Sequence, residues 1–306
     1  MNGAAPLVSI LVPSFNQGRY LPATLDSILS QDHRPLEVIV ADGASSDDSV
    51  EVLKRYAARH PQLQWLSEKD SGPADAVNKA LARARGDICG IQSSDDLYFP
   101  GAVRAAVAAF ARTPGANVVY GDLHAIDGEG KFIVHGRLPE FSWSAYAGLG
   151  LAIPQSSIFF RTAAAREVGG WNPRYYACDL DFWLRLILRA PDAAAPAVHV
   201  PQVLSAWRMH DAQRTRADTF ARACDGFARM IADCPELPAA PARVRRLVHA
   251  ALPIFTLLYP PTTDRRDLRR QALAALRGHP TFWRWWNPQQ RRRLLRLVPV
   301  LRRLAT

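Results

Sequence analysis

Two adjacent aspartates, Asp95 and Asp96, follow the apolar run Ile88-Cys89-Gly90-Ile91. Hard carboxylate oxygens at one strand end suit Mg2+ or Mn2+, with a diphosphate completing the coordination shell. Taken alone, the pair reads rather as a polar turn that caps the helix expected near Pro100. It does not stand alone. Ser14 and Asn16 follow the first apolar run, Asp42 the second, and Glu68 and Asp70 the third. Polar groups at four successive strand ends read as one shared site rather than as separate solvated loops. No glycine-rich phosphate loop follows the first strand, so a phosphorylated ligand would be handled through a carboxylate-held cation. The four cysteines (Cys89, Cys178, Cys224 and Cys234) lack paired spacing, which argues against a zinc or dithiol centre and for a reduced compartment.

These residues need a frame that presents strand ends together, and the hydrophobic pattern supplies one. Strands are expected at Leu7–Pro13, Leu36–Ala41, Leu63–Ser67, Ile88–Ser93 and Val118–Gly121. Helices are expected at Arg19–Gln31, Ser46–Arg59, Pro73–Arg85 and Pro100–Arg112, where apolar residues recur at helical spacing. Strand alternating with helix predicts an α/β fold with a mostly parallel sheet covered on both faces. Ligands in such sheets bind beyond the carboxyl ends of the strands. Further along, a hairpin is expected around Asp127–Gly130, a strand at Ser157–Arg161 and a helix at about Asp179–Arg189. Beyond Pro201 the chain reads as helical and arginine-rich, with Pro235–Pro241 as a hinge.

Several stretches together resemble a family 2 glycosyltransferase of the GT-A fold, of the bacterial polysaccharide and O-antigen type. They are VSILVPSFNQGRYLPATLDSILSQ, LEVIVADGASSDDSVEVL, EKDSGPADAVNKALARARGDICGIQSSDDLYFPGAV, and the later QSSIFFR, GGW and CDLDFWLRL. The resemblance covers about residues 7–211. It implies a Rossmann-like GT-A domain over 1–241, with a nucleotide-binding half at about 1–122 and an acceptor-side half at about 123–241. It implies that Pro13, Ser14 and Asn16 line the nucleotide pocket and that Asp42 accepts from a nucleobase N–H, uracil being the expected base. Asp70 and Asp75 lie near the donor, Asp75 toward the sugar, while Lys79 and Asn78 serve either the phosphates or helix packing.

The family's DxD motif reads Ser94-Asp95-Asp96 here, with serine at the first acid. The resemblance gives Asp96 to a Mn2+ or Mg2+ ion and Asp95 to the ribose or a water-mediated metal contact. In CDLDFWLRL, Asp179 matches the general base, with Cys178 in place of the usual glutamate. Asp181 is the other candidate. About 200° apart on a helix, the two cannot face one site, and Asp181 can instead pair with Arg185 at i+4. SAWRMHDAQRT resembles the segment that closes over the diphosphate, placing Arg208 on the leaving group and His210 on the metal or phosphate. Trp171 and Trp207 are either sugar-stacking surfaces or core.

The implied activity is inverting transfer of a sugar, from a UDP-sugar in the first instance, to a hydroxyl of a saccharide or polyprenol-linked saccharide acceptor in cell-surface polysaccharide synthesis. A sugar nucleotidyltransferase, sharing the nucleotide and metal needs, is the rival enzyme.

The chain has 306 residues and a formal net charge of +10. Residues 242–306 hold 15 arginines and two aspartates, and the rest of the chain is net −3. This basic, tryptophan-bearing tail is expected to be helical. It suits an anionic membrane surface, or else packs on the body with a solvated arginine face. Nucleic-acid binding is a distant alternative, because nothing in the body resembles a nucleic-acid module. No apolar run is long enough to span a bilayer, and the first residues lack the basic start of a signal peptide. A cytoplasmic, peripherally membrane-associated protein is the resulting expectation.

Overall fold

A computed structural model of the chain describes residues 5–148, 153–213 and 219–258. They fall in two compact units. The first is drawn from Met1–Leu138, Pro154–Arg174 and Leu186–Asp211, and the second from Pro139–Ile153, Tyr175–Arg185 and Ala212–Thr306.

The first unit is built on a nine-stranded mixed sheet. Its first half follows the expected alternation: β1 (Val8–Ser14), α1 (Leu21–Leu29), β2 (Leu36–Asp42), α2 (Ser49–Ala57), β3 (Leu63–Ser67), α3 (Pro73–Arg83) and β4 (Ile88–Ile91). β3, β2, β1 and β4 lie side by side and parallel, with Ser14 level with Asp42 and Asp42 level with Ser67. The strand-end polar groups are therefore in one row. Val8, Ile10 and Val12 of β1 and Val38 and Val40 of β2 are wholly buried against Leu21, Leu25 and Ile28 of α1. Each such side chain contributes about 1.5–3 kcal/mol of burial. α3 packs on β1 and β2. It starts at Pro73, whose fixed φ suits a first helical position.

Then come β5 (Leu97–Tyr98), α4 (Ala102–Arg112), β6 (Val118–Ile126), β7 (Phe132–Gly136), β8 (Ile158–Arg161) and β9 (Ala197–Arg208). Two short helices precede β9: α5 (Trp143–Gly148) and α6 (Thr162–Glu167). β8 runs antiparallel to both β4 and β6, β7 forms a hairpin with β6, and β6 runs parallel to β9. The sheet is mixed rather than mostly parallel because β8 enters between β4 and β6 in the opposite sense. Wholly buried Ala102, Ala106 and Ala109 line the inner face of α4, which packs on β6 and β9.

The helical reading beyond Pro201 does not hold up to Arg208, where the chain continues β9. Proline cannot donate to a ladder and is tolerated in a strand at a bulge. The register indeed jumps there, from Gly121 opposite Val200 to Asp122 opposite Val203.

In the second unit, α7 (Cys178–Leu188) begins and contributes its residues up to Arg185. α8 (Thr219–Asp233) and α9 (Ala242–Leu258) pack on one another, and α5 packs on α9. Val244, Leu247 and Val248 of α9 are buried, while Arg243, Arg246 and His249 are exposed. The Pro235–Pro241 stretch lies inside this unit and forms a 3-10 turn at Leu237–Ala239. Tail residues 259–306 lie outside the described residues, as do the side chains of 252–258.

Candidate active site

The Ser94-Asp95-Asp96 segment links β4 to β5, and β5 fixes where it goes. Leu97 pairs with Ala206 and Tyr98 with Ser205, so the end of β9 runs alongside the two acids. Asp96 is buried, and its Oδ1 accepts from the Arg208 backbone N–H at 2.8 Å. The Asp96 carbonyl accepts from Thr24 Oγ1 of α1 at 2.8 Å. The Asp95 carboxylate meets His210 Nε2 at 2.9 Å, and the Asp95 carbonyl accepts from Arg208 Nε at 2.8 Å. Arg208 Nη1 donates to the carbonyls of Asp127 and Gly128 in the turn joining β6 to β7. The two acids, Arg208 and His210 thus form one knot, though 112 or more residues separate its halves. Tyr98 crosses over β4, and Gly90 permits it: a Cβ there would lie 2.6 Å from the Tyr98 hydroxyl.

Burial, and then the Asp95 carboxylate beside it, push the Asp96 carboxyl well above the usual carboxylate range. The Arg208 backbone N–H and guanidinium act in the opposite sense. A nearby cation would favour the ionised form. Asp96 Oδ1 is taken by Arg208, and no hydrogen bond to Oδ2 is found among the described residues. The Asp95 and Asp96 carboxylates are the ligand type that suits Mn2+ or Mg2+, and His210 lies within hydrogen-bonding reach of Asp95. Among the described residues no group of three or more His, Cys, Asp or Glu side chains is placed to hold a metal ion.

Along the row of strand ends, the 45–46 loop gathers the next residues. Asn16, at φ 53°, accepts from the Ser46 N–H at 2.8 Å, and its own N–H donates to Ser45 Oγ. Asp42, buried, accepts from the Ser45 N–H at 2.9 Å and from Ser67 Oγ at 2.6 Å. Pro13 is half-buried before buried Ser14. Asp70 packs on Gly43, where a Cβ would come within 2.6 Å of its Oδ2, and accepts from the Gly72 N–H. Asp75 lies below the usual carboxylate range, chiefly through the Ser71 N–H and then through Lys79. Lys79 is raised above the ordinary lysine range by Glu68, at 3.1 Å, and by Asp75. Asn78 clamps the Trp171 backbone from both sides, and Trp171 itself is buried.

The second unit holds both candidate bases. Asp179 is half-buried in the first turn of α7. Asp181 is buried and bound by Arg185 at 2.6 Å, the i+4 pair that the spacing allows. Burial raises the Asp181 carboxyl, against the pull of Arg185. Cys178 is buried beside them.

Three residues near the row of strand ends escape a reading by motif. Phe15 is 58% exposed between Ser14 and Asn16, an aromatic face offered at the end of β1. Tyr20 carries Arg208 and His210 against its ring. Gln92 is wholly buried with neither amide atom bonded, and Ser14 Oγ is likewise without a partner. Such groups cost about 1–3 kcal/mol each when unmet. Only Phe15 had a usable signal, an aromatic set between two strand-end polar residues.

The sequence profile of glycosyl transferase family 2 matches residues 9–168. Chondroitin synthase of Escherichia coli is 32% identical over 185 residues, which are 59% of this chain and 26% of that protein. The chain thus spans about a quarter of that relative's length. S. aureus TarS 1–349, solved with UDP-GlcNAc, superposes with a TM-score of 0.67 at 16% identity, over 90% of this chain and 81% of that one. The Pyrobaculum calidifontis mannosyltransferase PcManGT, solved with GDP-Man and Mn2+, gives 0.64 at 20% identity, over 97% and 80%. These two likenesses show a shared GT-A fold. With the profile covering just over half of its length, the chain belongs to glycosyl transferase family 2.

Proposed function

We propose that the protein is an inverting, metal-dependent glycosyltransferase. It moves a sugar from a nucleoside diphosphate sugar, a UDP-sugar first, to a hydroxyl of a saccharide or lipid-linked saccharide in polysaccharide synthesis. The observation that carries this reading is the knot of Asp95, Asp96, Arg208 and His210 at the end of β4. It gathers two adjacent carboxylates, of the ligand type that suits a hard cation, and a fixed guanidinium at the place where a diphosphate would leave.

Asp42 and Asn16 hold the 45–46 loop at the expected base pocket, and exposed Phe15 offers the base a stacking face. Asp95 lies toward the ribose, Asp70 near the donor, Asp75 toward the sugar, and Lys79 stays tied to its acids. Asp96 and His210 would hold Mn2+ or Mg2+, which when bound offsets the negative charge of the diphosphate. Arg208 stabilises the same developing charge, already oriented by backbone carbonyls. Asp179 takes the acceptor hydroxyl proton as that oxygen attacks the anomeric carbon, while the bond to the nucleoside diphosphate breaks. One displacement inverts the centre.

The test incubates the full chain with UDP-, GDP- and dTDP-sugars and Mn2+ or Mg2+. Release of a nucleoside diphosphate, lost in Asp96→Ala, is the expected result. Pyrophosphate release, or turnover indifferent to Asp96→Ala and to chelator, would overturn the reading.

A further inference from the structure

Tyr20 stands at the start of α1, in none of the acid-bearing strand ends, yet it touches both basic side chains of the knot. Its ring centroid lies 4.6 Å from that of His210, the planes tilted by 48°. The Arg208 guanidinium carbon lies 4.9 Å from the same centroid. Tyr20 is only 9% exposed. A Cβ on Gly128 would lie 3.4 Å from its hydroxyl and 3.7 Å from the Cβ of His210, so the β6–β7 turn closes around the pair. One helical turn later, Thr24 holds the Asp96 carbonyl.

We propose that Tyr20 is a positioning residue whose ring sets the directions of Arg208 and His210 toward the diphosphate of the donor. The inference rests on the proposed function, which assigns those two side chains to the leaving group. A guanidinium is always charged and is attracted to an aromatic face. A guanidinium held over a ring face keeps nitrogens free to donate elsewhere. Here Nε and Nη1 donate to the carbonyls of Asp95, Asp127 and Gly128, and no acceptor for Nη2 is found among the described residues. Ring and carbonyls together fix the plane of the guanidinium before an anion arrives, so that less freedom is lost on binding. The hydroxyl of Tyr20 has no part in this; the ring does the positioning.

The experiment measures UDP and GDP affinity in Mn2+ by calorimetry, with kcat, KM and thermal melting, on the full chain. The variants are Tyr20→Phe, Tyr20→Leu, Arg208→Ala and the double Tyr20→Leu/Arg208→Ala. Tyr20→Phe should stay within about twofold of the parent in affinity and kcat. Tyr20→Leu should lose about five- to tenfold in nucleoside diphosphate affinity while still melting cooperatively. In the Arg208→Ala background the same change should cost less than about twofold, because the partner is already gone. Replacing residue 20 by pentafluorophenylalanine keeps the shape and reverses the ring quadrupole. It should weaken affinity relative to Phe, and it decides the matter if the Leu variant does not fold. Equal losses from Tyr20→Leu in both backgrounds, or no difference between the two phenylalanines, would overturn the positioning role and leave the assignment of Arg208 standing. Unchanged affinity and turnover in Arg208→Ala would overturn that assignment, and this inference with it.

Discussion

Asp179 and Asp181 sit in one helical turn and in different surroundings. Asp181 is buried and carries Arg185 at 2.6 Å, a pair whose removal from one side strands a charge. Asp181→Asn should therefore cost about 3–5 kcal/mol of stability, read as a lowered denaturant midpoint. Asp179 is half-buried and is the proposed base. Asp179→Asn should lower kcat by roughly a hundred- to ten-thousand-fold and leave donor affinity and melting unchanged. Parental kcat in that variant would return the base role to another carboxylate. Phe15 gives a third test at this scale. An exposed aromatic at the proposed nucleotide pocket has little to do for the fold, so Phe15→Ala should spare stability. It should weaken UDP binding by about 1–3 kcal/mol, the range measured for base stacking on aromatics, as calorimetry would read directly.

Elements position the strand-end residues of the first unit, and their legibility in the sequence differs sharply. β1 to β4 and the helices between them follow from local periodicity, because β1, β2 and β4 are apolar enough to be buried on both faces and β3 is a short run at the sheet edge. The row of Ser14, Asn16, Asp42 and Asp70 was readable for that reason. β5 has two residues and exists only because β9 lies beside it, so no local pattern could announce it. β9 carries Pro201 and Arg208, which argue against a strand until the bulge opposite Asp122 is known. These two elements place Arg208 against Asp96. The motif was therefore legible and its assembly was not. At the opposite end of the sheet, Glu37 of β2 is buried and binds Ser9 of β1 at 2.6 Å and the N–H and guanidinium of Arg85. Burial alone would raise the Glu37 carboxyl, but these bonds outweigh it and leave the group below its usual 4.5. A lowered carboxyl stabilises the fold above the unfolded value and loses that contribution as pH falls through the folded one. Stability of the parent should thus decline more steeply below about pH 4.5 than that of Glu37→Gln, with the two curves converging in acid. Parallel curves in chemical denaturation across that range would remove Glu37 from the acid response.

The charge of the whole molecule separates the site from whatever holds it in place. Residues 259–306 carry 12 arginines against two aspartates, so that the chain up to Leu258 is electrically balanced. Trp283, Trp285 and Trp286 lie among those arginines. Among the described residues no helix is long and apolar enough to cross a membrane. α9 already buries Val244, Leu247 and Val248 within the second unit, so a truncation at 242 would damage that unit and confuse the outcome. Removal of 259–306 is the cleaner change. Juxtamembrane arginines are attracted to anionic lipid by about 1 kcal/mol each near the surface, screened within about a Debye length. If the tail is the docking element for a lipid-linked acceptor, the full chain should float with phosphatidylserine- or cardiolipin-containing vesicles at low salt and be released by about 0.5 M NaCl. Residues 1–258 should stay in solution while retaining metal-dependent UDP binding. Flotation of residues 1–258 equal to that of the full chain would move the membrane contact into the body. Salt-sensitive retention on RNA, with no flotation of either form, would show that the arginines serve a nucleic acid. Neutral phosphatidylcholine vesicles separate the two forces at work: charge predicts no binding there, whereas tryptophan insertion alone predicts binding that salt does not reverse.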